Sequence, residues 1–177
     1  MAATSDPVTI RHAVPDDATT RGLADVLMDC VAGGASISFM APLARERAEA
    51  FWIDVLAEAT RGDRLVLVAE DPTTGAIVGT VQVVLDAPEN QPHRGEVAKM
   101  LVHREARRRG VAEALLRAAE GAAVAAGKTL LVLDTASADA ERVYERLGWQ
   151  RVGVIPGYAL GPTGDLVDTT VFYKTLA

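Results

Sequence analysis

Apolar positions along this chain follow two periods, which predict strands alternating with helices. Short runs rich in Val, Ile and Leu, bounded by Gly, Pro or Asp, are typical of buried strands. Such runs occur at Val8–Ala13, Leu65–Glu70, Ile77–Leu85, Gly95–Val102, Leu130–Thr135, Trp149–Ala159 and Leu166–Thr175. The pattern therefore predicts an α/β fold built on one seven-stranded sheet.

Other segments repeat their apolar residues every three or four positions, and this spacing predicts about four amphipathic helices. The first follows the acidic pair Asp16-Asp17, and the second takes Pro42 into its first turn. The third begins at Val111, and the fourth runs from about Ala138 to Leu147. Glycines just beyond the helices act as caps, at Gly33-Gly34, Gly127 and Gly148.

Two turn-forming segments place antiparallel hairpins at both ends of the sheet. Asp71–Gly75 separates the second and third strands, and Gly161–Asp165 separates the last two. The strand, helix and strand between Gly95 and Thr135 require a parallel crossover. The sheet is therefore predicted to be mixed, with a parallel pair flanked by antiparallel hairpins.

The composition is that of a globular protein: 177 residues, 49% apolar and 24% charged. We expect a single domain over residues 1–177, with Met1–Asp6 flexible. The net charge of −6 argues against a nucleic-acid partner and favours an amine substrate. Cys30 is the sole cysteine, and there is no signal peptide or membrane-length apolar run, so a cytoplasmic protein without membrane contact is expected.

The strand that ends at Val102 leads into a basic turn and then directly into the third helix. Free backbone N–H groups and the macrodipole at a helix N-terminus attract phosphate, and arginines add charge-assisted hydrogen bonds. The segment predicts a pyrophosphate site formed by Arg107, Arg108, Arg109, Gly110, Val111 and Ala112. The alternative is an ordinary solvated basic loop, because charge runs usually face water.

Two common phosphate-binding motifs do not fit this turn. A nucleoside-triphosphate loop has Lys and then Ser or Thr after its last glycine, whereas Gly110 is followed by Val111 and Ala112. A dinucleotide fingerprint has three spaced glycines, and this turn has one. The pattern that fits is Arg-x-x-Gly-x-Ala, formed by Arg107, Gly110 and Ala112.

This pattern resembles the signature Gln/Arg-x-x-Gly-x-Gly/Ala of the GNAT superfamily of N-acetyltransferases. Tyr144–Trp149 is similar to the family's Tyr-x-x-x-Gly-Phe/Trp step into a sixth strand, and the resemblance extends over essentially the whole chain. It implies a GNAT-like fold with splayed central parallel strands and acetyl-CoA as co-substrate. We expect Met100, Leu101 and Val102 to bind acetyl-CoA together with the residues of the basic turn.

Several shorter segments are similar to the tabtoxin-resistance subfamily of GNAT enzymes, which inactivates a toxin. They occur in the same order, at Gly33–Met40, Glu96–Met100, Leu133–Thr135, Pro156–Tyr158 and Tyr173–Leu176. These matches argue for a shared subfamily and do not identify the substrate.

Transfer of an acetyl group to an amine needs a base, and Glu96 is the first candidate. It lies on the strand that enters the signature, and its apolar neighbours Val97 and Met100–Val102 form a setting that raises a carboxyl pKa. The resemblance to the toxin-resistance enzymes also implicates this residue. The alternative is a solvent-facing carboxylate paired with Lys99 or Arg94.

Asp134 and Tyr144 are the other catalytic candidates. Asp134 ends an apolar strand at its carboxyl end, where ligands bind, and is either a second base or the group that fixes the substrate amine. The competing role is capping of the next helix with Thr135 or Ser137. Tyr144 occupies the family's usual position for the acid that protonates the leaving thiolate, and its alternative is core packing.

The remaining candidates concern the oxyanion and the acceptor. A backbone N–H near Met100 to Val102 is expected to stabilise the oxyanion. No metal is expected, because the three histidines lack ligand spacing, and Cys30 has no His partner, which leaves direct attack in a ternary complex. We expect one wall of the substrate site to be formed by Gly33, Gly34, Ser36, Phe39 and Tyr158. The alternatives are a plain helix cap for the glycines and a core position for the aromatic ring.

These observations favour an acetyl-CoA-dependent N-acetyltransferase that acts on a small amine such as an antibiotic or toxin. A non-catalytic acyl-CoA sensor is the second hypothesis, and the presence of Glu96, Asp134 and Tyr144 argues against it. A protein N-acetyltransferase ranks third, because the Gly33–Met40 loop narrows the groove that a peptide needs. Exposed strands of the closing hairpin, paired across a two-fold axis, would form a homodimer.

Overall fold

Seven strands form one continuous sheet in the computed structural model, which describes residues 8–177. They are β1 Thr9–His12, β2 Arg64–Glu70, β3 Ile77–Val84, β4 Arg94–Val102, β5 Leu130–Thr135, β6 Gln150–Leu160 and β7 Leu166–Thr175. Their order in the sheet is β1-β2-β3-β4-β5-β7-β6. The predicted mixed α/β fold is confirmed, whereas the flexibility expected of Met1–Asp6 lies outside the described residues.

The sheet is antiparallel on both sides of one parallel pair. β2 pairs with β1 and β3, β3 pairs with β4, and β7 lies between β5 and β6, all antiparallel. β4 and β5 run parallel because a helix, α3 (Val111–Ala125), connects them. The carboxyl ends of β4 and β5 and the start of α3 therefore meet at one edge of the sheet.

The parallel pair opens towards this edge. Register pairs join only residues 94–96 of β4 to residues 130–132 of β5. Beyond them β4 continues to Val102 and β5 to Thr135 without pairing with each other. The splay that the GNAT resemblance implies is present, and it leaves backbone groups of both strands without their usual partners. We refer to this gap as the opening.

Four α-helices connect the strands: α1 (Asp17–Ala32), α2 (Arg45–Arg61), α3, and α4 (Ala138–Arg146). Asp16 caps α1 as predicted, because its side chain accepts a hydrogen bond from the Thr19 N–H (2.7 Å). The prediction for Pro42 is wrong. Ala44 has extended backbone (φ −70°, ψ 144°) and forms the cap of α2, so Pro42 lies in the preceding loop.

Both faces of the sheet are covered, which explains why its central strands are apolar runs without alternation. α1 and α2 cover one face, here called the α1–α2 face, through a core that includes Leu23, Leu27, Trp52, Val66 and Val68. The second core, under α3 and α4, includes Val81, Leu115, Leu116, Leu131 and Phe172.

The catalytic candidates on β4 and β5 share one face. Successive side chains of a strand point to opposite faces. Because Val97 and Leu133 belong to the second core, their neighbours Glu96 and Asp134 lie on the α1–α2 face. The two carboxylates therefore flank the opening from the same side of the sheet.

Candidate active site

The turn between β4 and α3 presents a row of free amide donors. The N–H groups of residues 108–113 find no acceptor within the described chain, and the first bond of α3 runs from the Ala114 N–H to the Gly110 carbonyl (3.0 Å). Arg108 (φ 61°) and Gly110 (φ 78°) have left-handed backbone, which lets neighbouring N–H groups converge on an anion. This geometry suits the pyrophosphate role expected of the turn.

The three arginines of the turn differ in their contacts. Arg109 forms an ion pair with Asp71 of the β2–β3 turn (2.9 Å), and this hydrogen bond is the main cause that lowers the pKa of Asp71. Arg107 Nε donates to the Val102 carbonyl at a long 3.4 Å, and Arg108 makes no ion pair with the described residues. Arg107 and Arg108 are therefore available for phosphate, whereas Arg109 anchors the turn.

A second anchor joins the turn to α1. Asp29 accepts hydrogen bonds from the Arg104 backbone N–H and Nε (2.8 and 2.9 Å) and lies 3.6 Å from His103 Nε2. Burial opposes ionisation, but the hydrogen bonds outweigh it and lower the pKa of Asp29. Sequence reasoning missed Asp29 and Asp71, because both are distant along the chain and no local pattern marks such contacts.

A β-bulge interrupts β4 just before its end. Relative to β3, the strand carries one extra residue between Ala98 and Leu101. Lys99 lies in this bulge with left-handed backbone (φ 49°), which is uncommon for a residue with a side chain. Its Nζ donates to the Ser38 hydroxyl (3.0 Å). The sequence predicts Lys99 only as a partner of Glu96. The bulge instead brings its side chain to Ser38.

The end of β4 directs one backbone donor into the opening. The His103 N–H donates to the Val78 carbonyl of β3 (2.9 Å), so the Val102 N–H, one residue earlier, points away from β3. Leu101, by contrast, directs its carbonyl oxygen towards Gly79 of β3, and its side chain is buried. Among the predicted residues of this strand, Val102 is thus better placed than Leu101 to stabilise an oxyanion.

Tyr144 packs its ring into the second core. The ring centroids of Trp149 and Phe172 lie 5.8 and 5.7 Å away, and the residue is 4% exposed. Burial, and to a smaller extent the negative charge of Asp134, raises the pKa of its phenol far above the ordinary value of 10.0. Such a phenol stays protonated at neutral pH and can donate a hydrogen bond to a developing thiolate. Core packing and proton donation are therefore compatible here.

Asp134 is held at the end of β5 by a hydrogen bond from β7. Its Oδ2 accepts from the Thr169 hydroxyl (2.6 Å), which orients the carboxylate, while the residue stays exposed. The alternative role as a helix cap is wrong, because Ser137 caps α4 by accepting from the Ala140 N–H (3.3 Å). Asp134 therefore keeps its other carboxylate oxygen for a ligand.

Glu96 does not occupy the apolar environment that its neighbours predict. Its side chain is 52% exposed, and Arg94 Nη1 lies 3.9 Å from its carboxylate. Val97 is buried, but on the opposite face, because side chains alternate along a strand. The geometry matches the alternative of a surface carboxylate paired with Arg94, and such pairs contribute little free energy.

The predicted wall begins at the end of α1. Gly33 is the cap residue of that helix, and Gly34 (φ 89°) turns the chain away from it. Phe39 packs edge-on against Phe51 of α2, with 5.1 Å between ring centroids. Both alternatives apply, because Gly33 is a helix cap and Phe39 is a core aromatic. These residues nevertheless lie at the edge of the α1–α2 face.

The rest of the wall connects the α1–α2 loop to the closing hairpin. The Ser36 hydroxyl donates to the Leu160 carbonyl (3.1 Å), and the Ala41 N–H donates to the Pro162 carbonyl (3.0 Å). Tyr158 lies on β6 with 55% of its surface exposed. These two hydrogen bonds form a bridge across one side of the α1–α2 face, here called the loop–hairpin bridge.

Metal-ligating and nucleophilic side chains are the remaining groups with relevant chemistry. Within residues 8–177, no cluster of His, Cys, Asp or Glu side chains could hold a metal ion. Cys30 is buried, its Sγ contacts the Val102 carbonyl oxygen (3.6 Å), and burial raises the pKa of its thiol, so the thiolate form is disfavoured. Over the same described range, every helix is too short or too polar to cross a bilayer.

These features define an acyl-transfer enzyme: an opening between parallel strands, a phosphate-type helix N-terminus at its edge, and a carboxylate and a protonated phenol beside it. The chain belongs to the acetyltransferase (GNAT) family, whose model matches residues 36–149. It is therefore an acetyltransferase, and the predicted family and enzyme class are confirmed.

Solved structures with the same fold cover nearly the whole chain. A structure of yncA from Salmonella typhimurium with its cofactor acetyl-CoA has a TM-score of 0.79 and 20% identity, over 97% of this chain and 95% of that chain. A phosphinothricin acetyltransferase from Sinorhizobium meliloti, in complex with acetyl-CoA, has a TM-score of 0.79 and 20% identity, over 97% and 89%. A ribosomal-protein-alanine N-acetyltransferase from Brucella melitensis has a TM-score of 0.80 and 23% identity, over 95% and 99%. At these identities the similarity is one of fold.

Proposed function

We propose that this enzyme transfers the acetyl group of acetyl-CoA to the primary amine of a small molecule, by direct attack in a ternary complex. One observation carries the proposal: a single opening connects the free amides of residues 108–113, the unpaired edges of β4 and β5, and Asp134 close to Tyr144. Acetyl-CoA has a diphosphate at one end, amide groups along its arm and a thioester at the other end. These parts match the anion site, the unpaired strand edges and the candidate catalytic groups of the opening.

The residues present suit the parts of acetyl-CoA. The free amides of residues 108–113, which include Gly110, Val111 and Ala112, would hold the pyrophosphate together with the charges of Arg107 and Arg108. The ion pair between Arg109 and Asp71 would hold this turn in place. Unpaired backbone groups of β4, at Met100 and Val102 in particular, would bind the amides of the pantetheine arm. The bound thioester supplies the activated acetyl group.

Asp134 is the favoured base, and Tyr144 is the favoured acid. A lysine-like amine has a reference pKa of roughly 10.4 and must lose a proton before it attacks, and the oriented Asp134 carboxylate can take that proton. As the C–N bond forms and the C–S bond breaks, Tyr144 gives its phenol proton to the leaving sulfur. Glu96 is the second candidate base, because its carboxylate is exposed on the same face of the sheet, but its pairing with Arg94 favours a surface role.

A small acceptor is favoured over a peptide by the loop–hairpin bridge. Its two hydrogen bonds restrict the α1–α2 face on the side where an extended peptide would leave the site. The fold itself serves both kinds of acceptor, since the similar structures include a phosphinothricin acetyltransferase and a ribosomal-protein-alanine N-acetyltransferase. An antibiotic or toxin amine is the narrower form of the proposal, which the tabtoxin-resistance-like segments suggest by subfamily without identifying the substrate.

Calorimetry and a thioester-consumption assay with a panel of amines test this proposal. The wild-type protein should bind acetyl-CoA and acetylate at least one small amine. Gly110→Val should weaken acetyl-CoA binding about tenfold or more, because a left-handed backbone costs a residue with a side chain about 1–2 kcal/mol. Gly121→Val, in the open middle of α3, is the matched control and should bind normally. Absence of binding heat, or unchanged binding by Gly110→Val, would contradict the proposal.

We also propose that the enzyme is a homodimer formed through β6. This edge strand carries five exposed large apolar residues, Val152, Val154, Ile155, Tyr158 and Leu160. Pairing with the same strand of a second copy would cover them and complete the strand's hydrogen bonds. Light scattering after gel filtration should give the mass of two chains, and Val154→Lys should give the mass of one without loss of secondary structure. A one-chain mass for the wild type would exclude the dimer.

A further inference from the structure

Lys99 differs from the other lysines in lacking a strong acceptor. The sequence contains three lysines, Lys99, Lys128 and Lys174. Lys128 Nζ donates to two backbone carbonyl oxygens at 2.9 Å, and Lys174 Nζ pairs with Glu120 at 2.7 Å. Lys99 Nζ donates only to the Ser38 hydroxyl and makes no ion pair with the described residues. A half-buried ammonium group thus faces the site with most of its donor capacity unused.

The surroundings of Lys99 make this charge costly. Its Nζ lies under the loop between α1 and α2, where the Phe51 ring, with its centre 6.0 Å away, gives it only a long cation–π contact. Burial lowers the pKa of Lys99, and the negative charges of Asp134 and Glu96 offset that effect only in part. An anion bound beside Lys99 would therefore stabilise its charged form.

One acidic group of this face, Glu58, is already engaged by another cation. Glu58 forms an ion pair with Arg64, and Arg64 Nη1 donates to the Gln82 Oε1 (2.5 Å). Arg64 Nε and Gln82 Nε2 are buried donors without an acceptor in the described chain. Gln82 lies opposite Ala98, the residue before Lys99. This part of the α1–α2 face therefore has more hydrogen-bond donors than acceptors.

Opposite charges border the same opening. Lys99 and Ser38 lie on the side of β4, and Asp134 lies on the side of β5, close enough for its charge to affect Lys99. Because the Ser38 oxygen accepts from Lys99, its own O–H remains a donor. An acceptor with an amine at one end and an anion at the other would satisfy both sides at once.

We propose that Lys99 Nζ and the Ser38 hydroxyl bind a carboxylate of the acceptor, so that the acceptor is an amine that carries its own carboxylate, as an amino acid does. The inference rests on the proposed N-acetyltransferase function and specifies its substrate class. The carboxylate replaces the missing anion beside Lys99 and directs the amine nitrogen towards Asp134 and the opening. Lys99 is thus a specificity-determining residue, and amines without an anion lack this contact.

Matched acceptors that differ by one charge test the inference. kcat/KM is measured for a set of amino acids and for their carboxamides, with acetyl-CoA saturating, in the wild type and in Lys99→Met. We expect the wild type to prefer the acids, and Lys99→Met to reduce the acid-to-amide ratio about tenfold to a hundredfold, because a hydrogen bond to a charged group is lost. Comparing this ratio between variants cancels the different amine pKa values of acids and amides.

Three further variants separate this role from a structural one. Lys99→Arg should retain most of the preference, and Ser38→Ala should reduce it by a smaller factor. Arg142→Met removes an exposed cation on α4 and should leave the ratio unchanged. The Tm of Lys99→Met should equal or exceed that of the wild type, because a poorly solvated charge is removed while the strained backbone carries a side chain in either case.

The outcomes distinguish this inference from the proposed function. Equal losses for acids and amides in Lys99→Met would assign Lys99 a structural role and overturn the inference. Acetylation of neutral or cationic amines by the wild type, with no preference for carboxylates, would overturn it while leaving the N-acetyltransferase function intact. Binding of acetyl-CoA without transfer to any amine would contradict the proposed function and this inference together.

Discussion

Tyr144→Phe should lower kcat by about 10²–10⁴-fold, the usual contribution of a positioned acid, and leave the Kd for acetyl-CoA unchanged. The substitution keeps the ring contacts with Trp149 and Phe172 and removes only the hydroxyl. Burial raises the pKa of the phenol, so in the wild type the group stays protonated well beyond the pH at which an ordinary tyrosine ionises. Tyr144 is therefore protonated throughout the neutral range and can act as the donor to the leaving sulfur.

Two measurements check this prediction. Pre-steady-state and steady-state rates are compared for Tyr144→Phe and for Tyr173→Phe, a control that removes a hydroxyl from an exposed tyrosine of β7. The wild-type rate should show no loss from Tyr144 ionisation up to about pH 10, the ordinary phenol pKa, because the raised pKa moves that ionisation to higher pH. Full activity of Tyr144→Phe would remove this residue from the mechanism.

Asp134→Asn should reduce kcat/KM by about 10²–10³-fold, whereas Glu96→Gln should change it less than about threefold. Asn retains an oxygen that can accept the Thr169 hydrogen bond but cannot take a proton from the amine. Glu96 is exposed and paired at the surface, so its loss should be tolerated. The two variants make the same chemical change at two carboxylates of one face, and each is therefore the control for the other.

Steady-state kinetics with the best acceptor from the amine panel measure both effects. Circular dichroism should show that both variants are folded, since neither substitution changes a buried contact of the core. A large loss in Glu96→Gln with a small one in Asp134→Asn would reverse the assignment and make the surface carboxylate the base. Equal losses would indicate that the two carboxylates work as a unit.

Local features of the chain predicted most of the fold correctly. The strands were visible because residues buried on both faces form continuous apolar runs, as in residues 66–69 of β2. Asp16 was visible as a cap because its hydrogen bond reaches only three residues along the chain. Pro42 was misplaced because its preference for a first helical turn is local, whereas the start of α2 depends on where the preceding loop contacts the closing hairpin.

The sequence predicted those parts of the candidate site that depend on residues close together in the chain. Gly110 has a left-handed backbone at a helix start, which a short pattern marks, whereas the role of Tyr144 was predicted from its place in the family's motif. Glu96 was placed in an apolar setting because sequence neighbours were treated as spatial neighbours. The alternation of side chains along β4 instead puts Val97 on the other face and leaves Glu96 exposed.

The sequence by itself determined the order of strands and helices along the chain, the basic turn before α3 and the family, because each depends on residues a few positions apart. Only the tertiary structure decided which charges meet. Arg109 is engaged by Asp71, and Asp134 is oriented by Thr169. A bulge turns Lys99 onto a face where no carboxylate of residues 8–177 pairs with it. Coulomb interactions and desolvation depend on distance and burial in space, and strand register sets both for residues that are far apart in the chain.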